Sequence, residues 1–110
     1  MKSIISKLNV VKEALLKVSE NVGHYEAFKQ EDQYIVWAES GEGGSLEADD
    51  KKEHQPIQGT IDYFTKTDMD PQIDEIQEML RQSCISFYLN SVQYEEETGF
   101  IHYEWVFEVT

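Results

Sequence analysis

Residues 100–109 read FIHYEWVFEV, and this stretch decides the fold class. From Ile101 to Val109 every second side chain is large and apolar, and the residues between them are mainly polar. Alternation with a period of two predicts a β-strand with one buried face. Residues 85–95 form a second β-rich run, and the intervening Glu96–Gly99 segment is predicted to join the two strands as a long hairpin.

A helix is predicted immediately before this hairpin, over residues 70–84. Asp70 is suited to cap the helix, and Pro71 fits the first helical position because its missing N–H has no partner there. Acidic residues in the first turn complement the helix dipole. The predicted apolar face consists of Ile73, Ile76, Met79 and Leu80 and continues towards Cys84.

Another strand is predicted over residues 56–66, PIQGTIDYFTK, with Ile57, Ile61 and Tyr63 on one face. Pro56 can open a strand, although it cannot lie centrally in one because it lacks a backbone donor.

The N-terminal segment predicts a second amphipathic helix that starts after a Ser3 cap and ends near Gly23. The apolar side chains recur at spacings of three and four. They are Ile4, Leu8, Val11, Leu15, Val18 and Val22, whereas Lys7, Lys12 and Lys17 fall outside this stripe.

Two strands are expected after this helix, over residues 24–30 and 33–39. They are aromatic-rich, and Glu31-Asp32 between them suits a tight reverse connection. Residues 40–54, SGEGGSLEADDKKEH, are rich in glycine and acidic residues, and we expect a flexible loop there. Its glycines lack the lysine and spacing of a phosphate-binding loop.

These segments predict one α+β domain over residues 1–110. Its elements follow the order α-β-β-loop-β-α-β-β, with two helices packed on one face of a mainly antiparallel sheet of four to five strands. We expect seven side chains to be among the most buried: Trp105, Phe107, Tyr103, Leu80, Ile76, Leu15 and Val11.

The composition excludes several classes of protein. The chain has 9 Lys and Arg residues against 22 Asp and Glu residues, so its formal net charge is −13. Arg81 is its one arginine, which argues against nucleic-acid binding because phosphate contacts need clustered cations. No run approaches the roughly 20 apolar residues of a membrane span. The single cysteine excludes an internal disulfide and fits a reducing compartment.

No catalytic or metal-binding motif is found. Cys84 is expected to be a small buried apolar residue at a helix end, and His102 is expected on the outer face of its strand, so the two do not suggest a nucleophile and its base. The acidic residues around Asp70 lack the glycine of a calcium loop. His54 with neighbouring acids lies in a glycine-flanked loop that fixes no ligand geometry. We therefore expect neither enzymatic activity nor a cofactor.

The order of the elements and four of the segments resemble the tail terminator proteins, also called tail completion or head–tail joining proteins, of long-tailed bacteriophages and prophages. The segments are YIVWAE at 34–39, GTIDYFTK at 59–66, DPQIDEIQEML at 70–80 and, most specifically, YEEETGFIH at 94–102. The resemblance spans nearly the whole chain and is one of pattern rather than of an invariant motif.

This resemblance implies a structural protein that forms a ring, commonly a hexamer. The ring terminates the tail tube and joins it to the head. The implied partners are other copies of the chain, the tail-tube protein and a head-completion or connector protein, with no membrane and no specific nucleic acid. The implied location is the virion tail, assembled in the cytoplasm of the bacterial host.

A ring needs a heterologous interface, in which different patches of one subunit meet on the next. Residues 1–30 carry five lysines and three acidic residues, whereas residues 67–110 carry one arginine and ten acidic residues. These regions predict complementary patches. The expected interface residues are Lys12, Lys17, Glu42, Glu47, Asp49, Asp50, Glu95, Glu96 and Glu97.

A second hypothesis also fits the acidity. A small acidic protein can mimic DNA and occupy the basic groove of a nucleic-acid-binding partner. Such a mimic needs acidic side chains spaced like phosphates on one rigid face, whereas many of these acids fall in a predicted loop and a hairpin turn. The order of elements supports the ring protein.

Overall fold

The computed structural model describes residues 2–44 and 55–110. Within these ranges the chain forms two helices and five strands. In chain order they are α1 (Ile4–Leu16), β1 (Val22–His24), β2 (Gln33–Glu42), β3 (Ile57–Thr65), α2 (Gln72–Gln82), β4 (Ser86–Glu95) and β5 (Phe100–Val109). The predicted α+β class and order of elements are confirmed.

The strands form one mixed sheet in the order β1-β2-β3-β5-β4. β3 is central and pairs antiparallel with β2 on one side and with β5 on the other. β4 continues the sheet antiparallel to β5, whereas β1 runs parallel to β2. Since three of the four pairings are antiparallel, the sheet is mainly antiparallel, as predicted.

Both helices pack on the same face of this sheet. Along β3 alternate residues are buried from Ile57 to Thr65, which confirms the predicted buried face. Ile61 lies opposite Trp37 on β2 and Trp105 on β5. The core cluster joins these strand residues to apolar side chains of α1 and α2: Val11, Ala14, Leu15, Ile76 and Leu80.

The predicted buried set is confirmed except at Tyr103. Trp105 and Phe107 are fully buried, and so are the helix residues in that set. Tyr103 is only half-buried and packs at the margin of the core. On one side it lies opposite the buried Tyr63, but on the other it lies opposite the exposed Val92 of the outer strand β4.

The expected N-terminal elements are partly wrong. Ser3 caps α1 as predicted, since its Oγ accepts the Ser6 backbone N–H at 3.0 Å. The helix ends at Leu16, however, and Val22 belongs to β1. In the turn between them Ser19 Oγ accepts the Asn21 N–H.

The strand predicted over 24–30 is also wrong beyond its first residue. β1 ends at His24, and Tyr25 takes a left-handed backbone conformation with φ of 71°. Because β1 is parallel to β2, the residues between them cannot form the expected tight reverse connection.

β2 extends further than the sequence suggests. It continues through residues 40–42 after a register shift between Glu39 and Gly41, so the loop predicted over 40–54 is wrong at its start. Residues 45–54 lie outside the described residues.

The end of α2 explains the position of Cys84. The Ile85 N–H donates to Leu80 O at 2.9 Å and the Cys84 N–H donates to Arg81 O at 3.0 Å. Cys84 has φ of 57°, so these bonds form a Schellman cap with Cys84 in the left-handed position. Ile85 therefore turns into the core, and Cys84 is exposed. The expectation that Cys84 is buried is wrong.

Asp70 ties α2 to the sheet through a buried network. Its Oδ2 atom accepts from Tyr63 OH at 2.6 Å, Thr65 Oγ1 at 2.7 Å and Gln33 Nε2 at 2.7 Å. Its Oδ1 atom accepts the backbone N–H of Gln72, the contact expected of a helix-capping side chain. Burial opposes ionisation, but these donors serve the charged form and hold the pKa of Asp70 below its ordinary value.

Candidate protein-binding surface

The outer strand β4 exposes an unusual amount of apolar surface. Its inner edge pairs with β5, and among the described residues no strand pairs with its outer edge. Four large side chains of β4 are exposed: Tyr88, Leu89, Val92 and Tyr94. A long, unpaired and apolar edge strand is a template for pairing with another chain.

Three of these side chains share the helix-covered face of the sheet. Leu89 lies opposite Trp105, Val92 opposite Tyr103, and Tyr94 opposite Ile101. Residues directly opposite each other on antiparallel strands point to the same face, so these side chains extend the core surface beyond the helices. We call Leu89, Val92 and Tyr94 the β4 strip.

A bulge lies in the middle of the β4 strip. The pairing of β4 with β5 shifts between Leu89 and Ser91, and Asn90 is the extra residue. Asn90 Nδ2 donates to Glu104 Oε1 at 2.7 Å. The bulge shifts the alternation of side chains in β4 by one residue. Leu89 and Val92 therefore point to the same face although they are three positions apart.

The hairpin turn carries the predicted acidic cluster. The Gly99 N–H donates to Glu95 O at 2.8 Å, and Gly99 has φ of 79°, a conformation that glycine adopts readily. Glu96 and Glu97 are exposed, whereas Glu95 is half-buried and accepts from Thr98 Oγ1. The structure therefore brings Glu95, Glu96 and Glu97 together directly beside Tyr94.

The other predicted interface residues are distributed over the molecule. Lys12 and Lys17 are exposed on α1 and at its C-terminal cap. Glu42 is exposed at the end of β2, where its carboxylate accepts from Gln55 Nε2. Glu47, Asp49 and Asp50 lie outside the described residues. The acidic turn and the two lysines belong to separate surfaces of the subunit.

Lys7 does not belong to the basic surface of α1. Its side chain is buried, and its Nζ atom donates to the carbonyl of Gln55 at 2.6 Å. The sequence placed Lys7 outside the apolar stripe, but its long methylene stem packs in the interior while the ammonium group reaches a backbone acceptor.

The opposite edge of the sheet carries a second exposed apolar feature. After β1 the chain turns, and residues 25–29, which we call the Phe28 turn, expose Tyr25 and Phe28. The Asn21 side chain holds this turn in place, because its Nδ2 donates to Lys29 O at 2.9 Å and its Oδ1 accepts the Lys29 N–H at 3.1 Å. Lys29 Nζ lies 5.6 Å from the centroid of the Phe28 ring.

Two histidine–carboxylate pairs lie elsewhere on the sheet. His24 Nε2 is 2.6 Å from Glu39 Oε1. Burial acts to raise the pKa of Glu39, but the hydrogen bonds from His24 and from a backbone donor outweigh it, so the pKa lies below its ordinary value. His102 Nε2 is 2.7 Å from Asp62 Oδ1 on the face away from the helices, as predicted for His102. Burial raises the pKa of Asp62, against the effect of His102.

Both histidine rings also pack against aromatic side chains. His102 stacks on Phe64 and His24 stacks on Trp37, so both rings contribute to packing on the sheet. Across residues 2–44 and 55–110, no group of three or more His, Cys, Asp or Glu side chains is arranged to hold a metal ion. In the same ranges no helix is long and apolar enough to cross a membrane.

Comparisons with known proteins leave the family open. No protein-family model matches the chain, and no curated protein matches it. One solved structure, described as "Structural insights into the molecular mechanism of H-NOX activation", aligns over 100% of this chain and 50% of its own, with 12% identity and a TM-score of 0.43. The chain thus spans half the length of that protein, and a likeness of this size carries no argument about function.

The sequence pattern predicts neither of the two exposed apolar features. The bulge at Asn90 interrupts the alternation in β4, so Leu89 and Val92 do not fit a period of two. In the Phe28 turn, Tyr25 and Phe28 are three positions apart, and a strand would place them on opposite faces, so residues 24–30 have no single apolar face. That spacing was the signal against a strand.

Proposed function

We propose that this protein is the subunit of a ring that terminates the tail tube of a long-tailed bacteriophage or prophage and joins the tube to the head. Other copies of the chain, the tail-tube protein and a head-completion protein are its partners. It catalyses no reaction, and it acts in the virion tail after assembly in the host cytoplasm.

The observation that carries this proposal is the β4 edge. A ten-residue outer strand with four exposed large side chains exposes both backbone hydrogen-bonding groups and apolar surface. Exposed apolar surface of this kind marks a protein–protein contact. A subunit that functions by assembling with further protein chains requires such a surface.

The distribution of charge gives further support. Lys12 and Lys17 lie on α1, and Glu95, Glu96 and Glu97 lie at the hairpin turn, which extends beyond the end of β3. Opposite charges on separate surfaces suit a contact between different patches of neighbouring subunits.

The DNA-mimic hypothesis has less support from the described acidic residues. Asp62 and Glu104, which lie on the open face of the sheet, are paired with His102 and Asn90. A DNA mimic offers its carboxylates to an incoming basic groove, whereas these two already have partners within the chain.

The direct test is tube termination. The purified chain is added to the tail-tube protein encoded in the same genome while that protein polymerises, and tube lengths and ends are measured by electron microscopy. We expect shorter tubes whose ends carry the added chain. Tubes of unchanged length, with the chain unbound and tight binding to a DNA-binding protein instead, would support the mimic and contradict the ring.

A charge variant sharpens the same test. Lys12→Glu together with Lys17→Glu should weaken assembly at the tube end while leaving the fold intact, because both side chains are exposed. The matched control is Lys66→Glu together with Arg81→Glu, which reverses the charge of two exposed cations outside α1 and changes the net charge by the same amount. Equal loss of termination in both variants would mean that net charge, rather than the α1 surface, is responsible.

A further inference from the structure

Two exposed apolar features lie on opposite edges of the sheet. The β4 strip borders one edge, and the Phe28 turn borders the other, next to β1. Tyr94 is 64% exposed and Phe28 is 65% exposed, so each feature carries an aromatic side chain that the subunit itself leaves uncovered.

The two features also lie at the same level along the strands. Tyr94 pairs with Ile101, Ile101 with Thr65, and Thr65 with Gln33, which traces one row across four strands. At the end of this row the Gln33 carbonyl accepts from Asn21 Nδ2, at 3.2 Å, and the same amide donates to Lys29 O. Tyr94 and Lys29 therefore occupy opposite ends of a single row.

The charges beside the two aromatic side chains are opposite. Phe28 is followed by Lys29, whose ammonium group is close to the Phe28 ring. Tyr94 is followed by Glu95, Glu96 and Glu97, of which Glu96 and Glu97 are exposed. Each end of the row thus combines an exposed aromatic ring with a charge, and the charges are complementary.

We infer that the Phe28 turn of one copy docks on the β4 strip and acidic turn of the next copy, in a head-to-tail contact between subunits. This inference rests on the ring proposed above and names the two surfaces that form it. Lys29 of one subunit meets Glu96 and Glu97 of its neighbour, while Phe28 covers the apolar side chains Val92 and Tyr94.

The equal level of the two surfaces is what a closed ring needs. A heterologous contact generates a ring if repeated rotation closes, and an open helical filament if each copy is also displaced along the axis. Because Lys29 and Tyr94 lie at opposite ends of one row, a neighbour can be added side by side without displacement along the strands.

The test uses two variants that each disable one surface. The first combines Phe28→Ser with Lys29→Glu, and the second combines Val92→Ser with Tyr94→Ser, so that the two disabled surfaces do not complement each other in charge. The control is Met69→Ser, which removes a largely exposed apolar side chain that belongs to neither surface. Molar mass is measured by light scattering after size exclusion, from low micromolar concentrations upward, for each variant alone and for the two variants mixed.

We expect the wild type and Met69→Ser to form the same closed oligomer. Each disabled variant should be monomeric, with association at least about tenfold weaker, because buried aromatic anchors dominate the energetics of interfaces. Mixed in equal amounts, the two variants should form one heterodimer and nothing larger, because the intact surface of each fits the intact surface of the other.

A third variant tests the charge contact alone. Lys29→Glu and Glu96→Lys should each weaken association when introduced singly, and the chain carrying both changes should recover much of it. Circular dichroism and thermal unfolding of every variant establish that the subunit is folded, since all the changed side chains are at the surface.

Several outcomes would overturn the inference. Dimers of the Phe28 variant alone would indicate β4-to-β4 pairing, and wild-type behaviour of either variant would remove that surface from the contact. A wild type that is monomeric at every concentration also contradicts it, yet tube termination by such a protein would leave the proposed function standing. Conversely, oligomers built on this contact that fail to terminate tubes would contradict the proposed function alone.

Discussion

β3 and β4 pair with opposite edges of the same strand, β5, but their environments differ. In β3 alternate side chains are buried along the whole strand, whereas none of the side chains of β4 is fully buried. β3 has a neighbour on each side and helices above it, while β4 is the last strand of the sheet. The comparison shows that the position of a strand in the sheet determines its burial, and that similar β-rich sequences serve as core in one place and as contact surface in another.

The largest effect is expected at Trp105, which lies between the two strands. It is opposite Ile61 of β3 and Leu89 of β4, it is fully buried, and its Nε1 donates to Gln77 Oε1 at 3.0 Å. Trp105→Ala should lower the free energy of unfolding by about 3–5 kcal/mol in urea titrations, because the large cavity is not refilled. A loss below about 1 kcal/mol would place Trp105 outside the core.

The next effect concerns the polar network at the end of β3. Asp70→Asn should lower the free energy of unfolding by about 2–4 kcal/mol near pH 7, because three donors to one carboxylate oxygen lose a charged acceptor. The control is Asp68→Asn, which makes the same chemical change at an exposed position two residues earlier and should leave stability nearly unchanged. Equal losses in the two variants would mean that the network contributes nothing beyond the general effect of removing a negative charge.

The pH dependence of the same variant gives an independent check. The pKa of Asp70 in the folded protein lies below its unfolded value of about 3.9, so its stabilising contribution is present above that pH and is lost as the pH falls through the folded value. The difference in stability between wild type and Asp70→Asn should therefore shrink below about pH 4. A difference that stays constant down to about pH 2 would contradict the assigned role of the ionised carboxylate.

A smaller effect is expected when a methyl group is added to β3. A Cβ atom at Gly59 would overlap the Ala38 carbonyl oxygen and the Phe107 ring, so Gly59→Ala should cost about 1–3 kcal/mol of unfolding free energy. The matched change on β4 is Ser91→Thr, which also adds one methyl group and for which we expect a loss under about 0.5 kcal/mol. Similar losses at both positions would remove the distinction between the two strands.

The smallest effect on stability is expected on β4 itself. Tyr94→Ser should change the free energy of unfolding of the monomer by no more than about 0.5 kcal/mol, because the side chain is largely exposed. Thermal unfolding at low protein concentration measures this without contributions from association. A loss of several kcal/mol would mean that Tyr94 is part of the core of the isolated subunit.

The sequence by itself determined much of this protein. The alternation in residues 100–109 predicted β5 and its core-facing side. The capping signals predicted the start of α1 after Ser3 and the start of α2 to within one residue, since α2 begins at Gln72 rather than Pro71. The acidic turn between Glu95 and Phe100 was also predicted at its correct place. These features depend on local backbone chemistry and on a single periodicity, so a short window of residues carries the whole signal.

Only the tertiary structure decided the rest. The parallel pairing of β1, which includes Val22 of the predicted helix, depends on contacts with β2 that the N-terminal sequence does not contain. Ile85 is buried and Cys84 exposed because a left-handed cap reverses the chain after α2. The alignment of the Phe28 turn with Tyr94 arises from pairings that run across four strands. Such long-range register is a property of the assembled sheet, since it joins segments far apart in the chain.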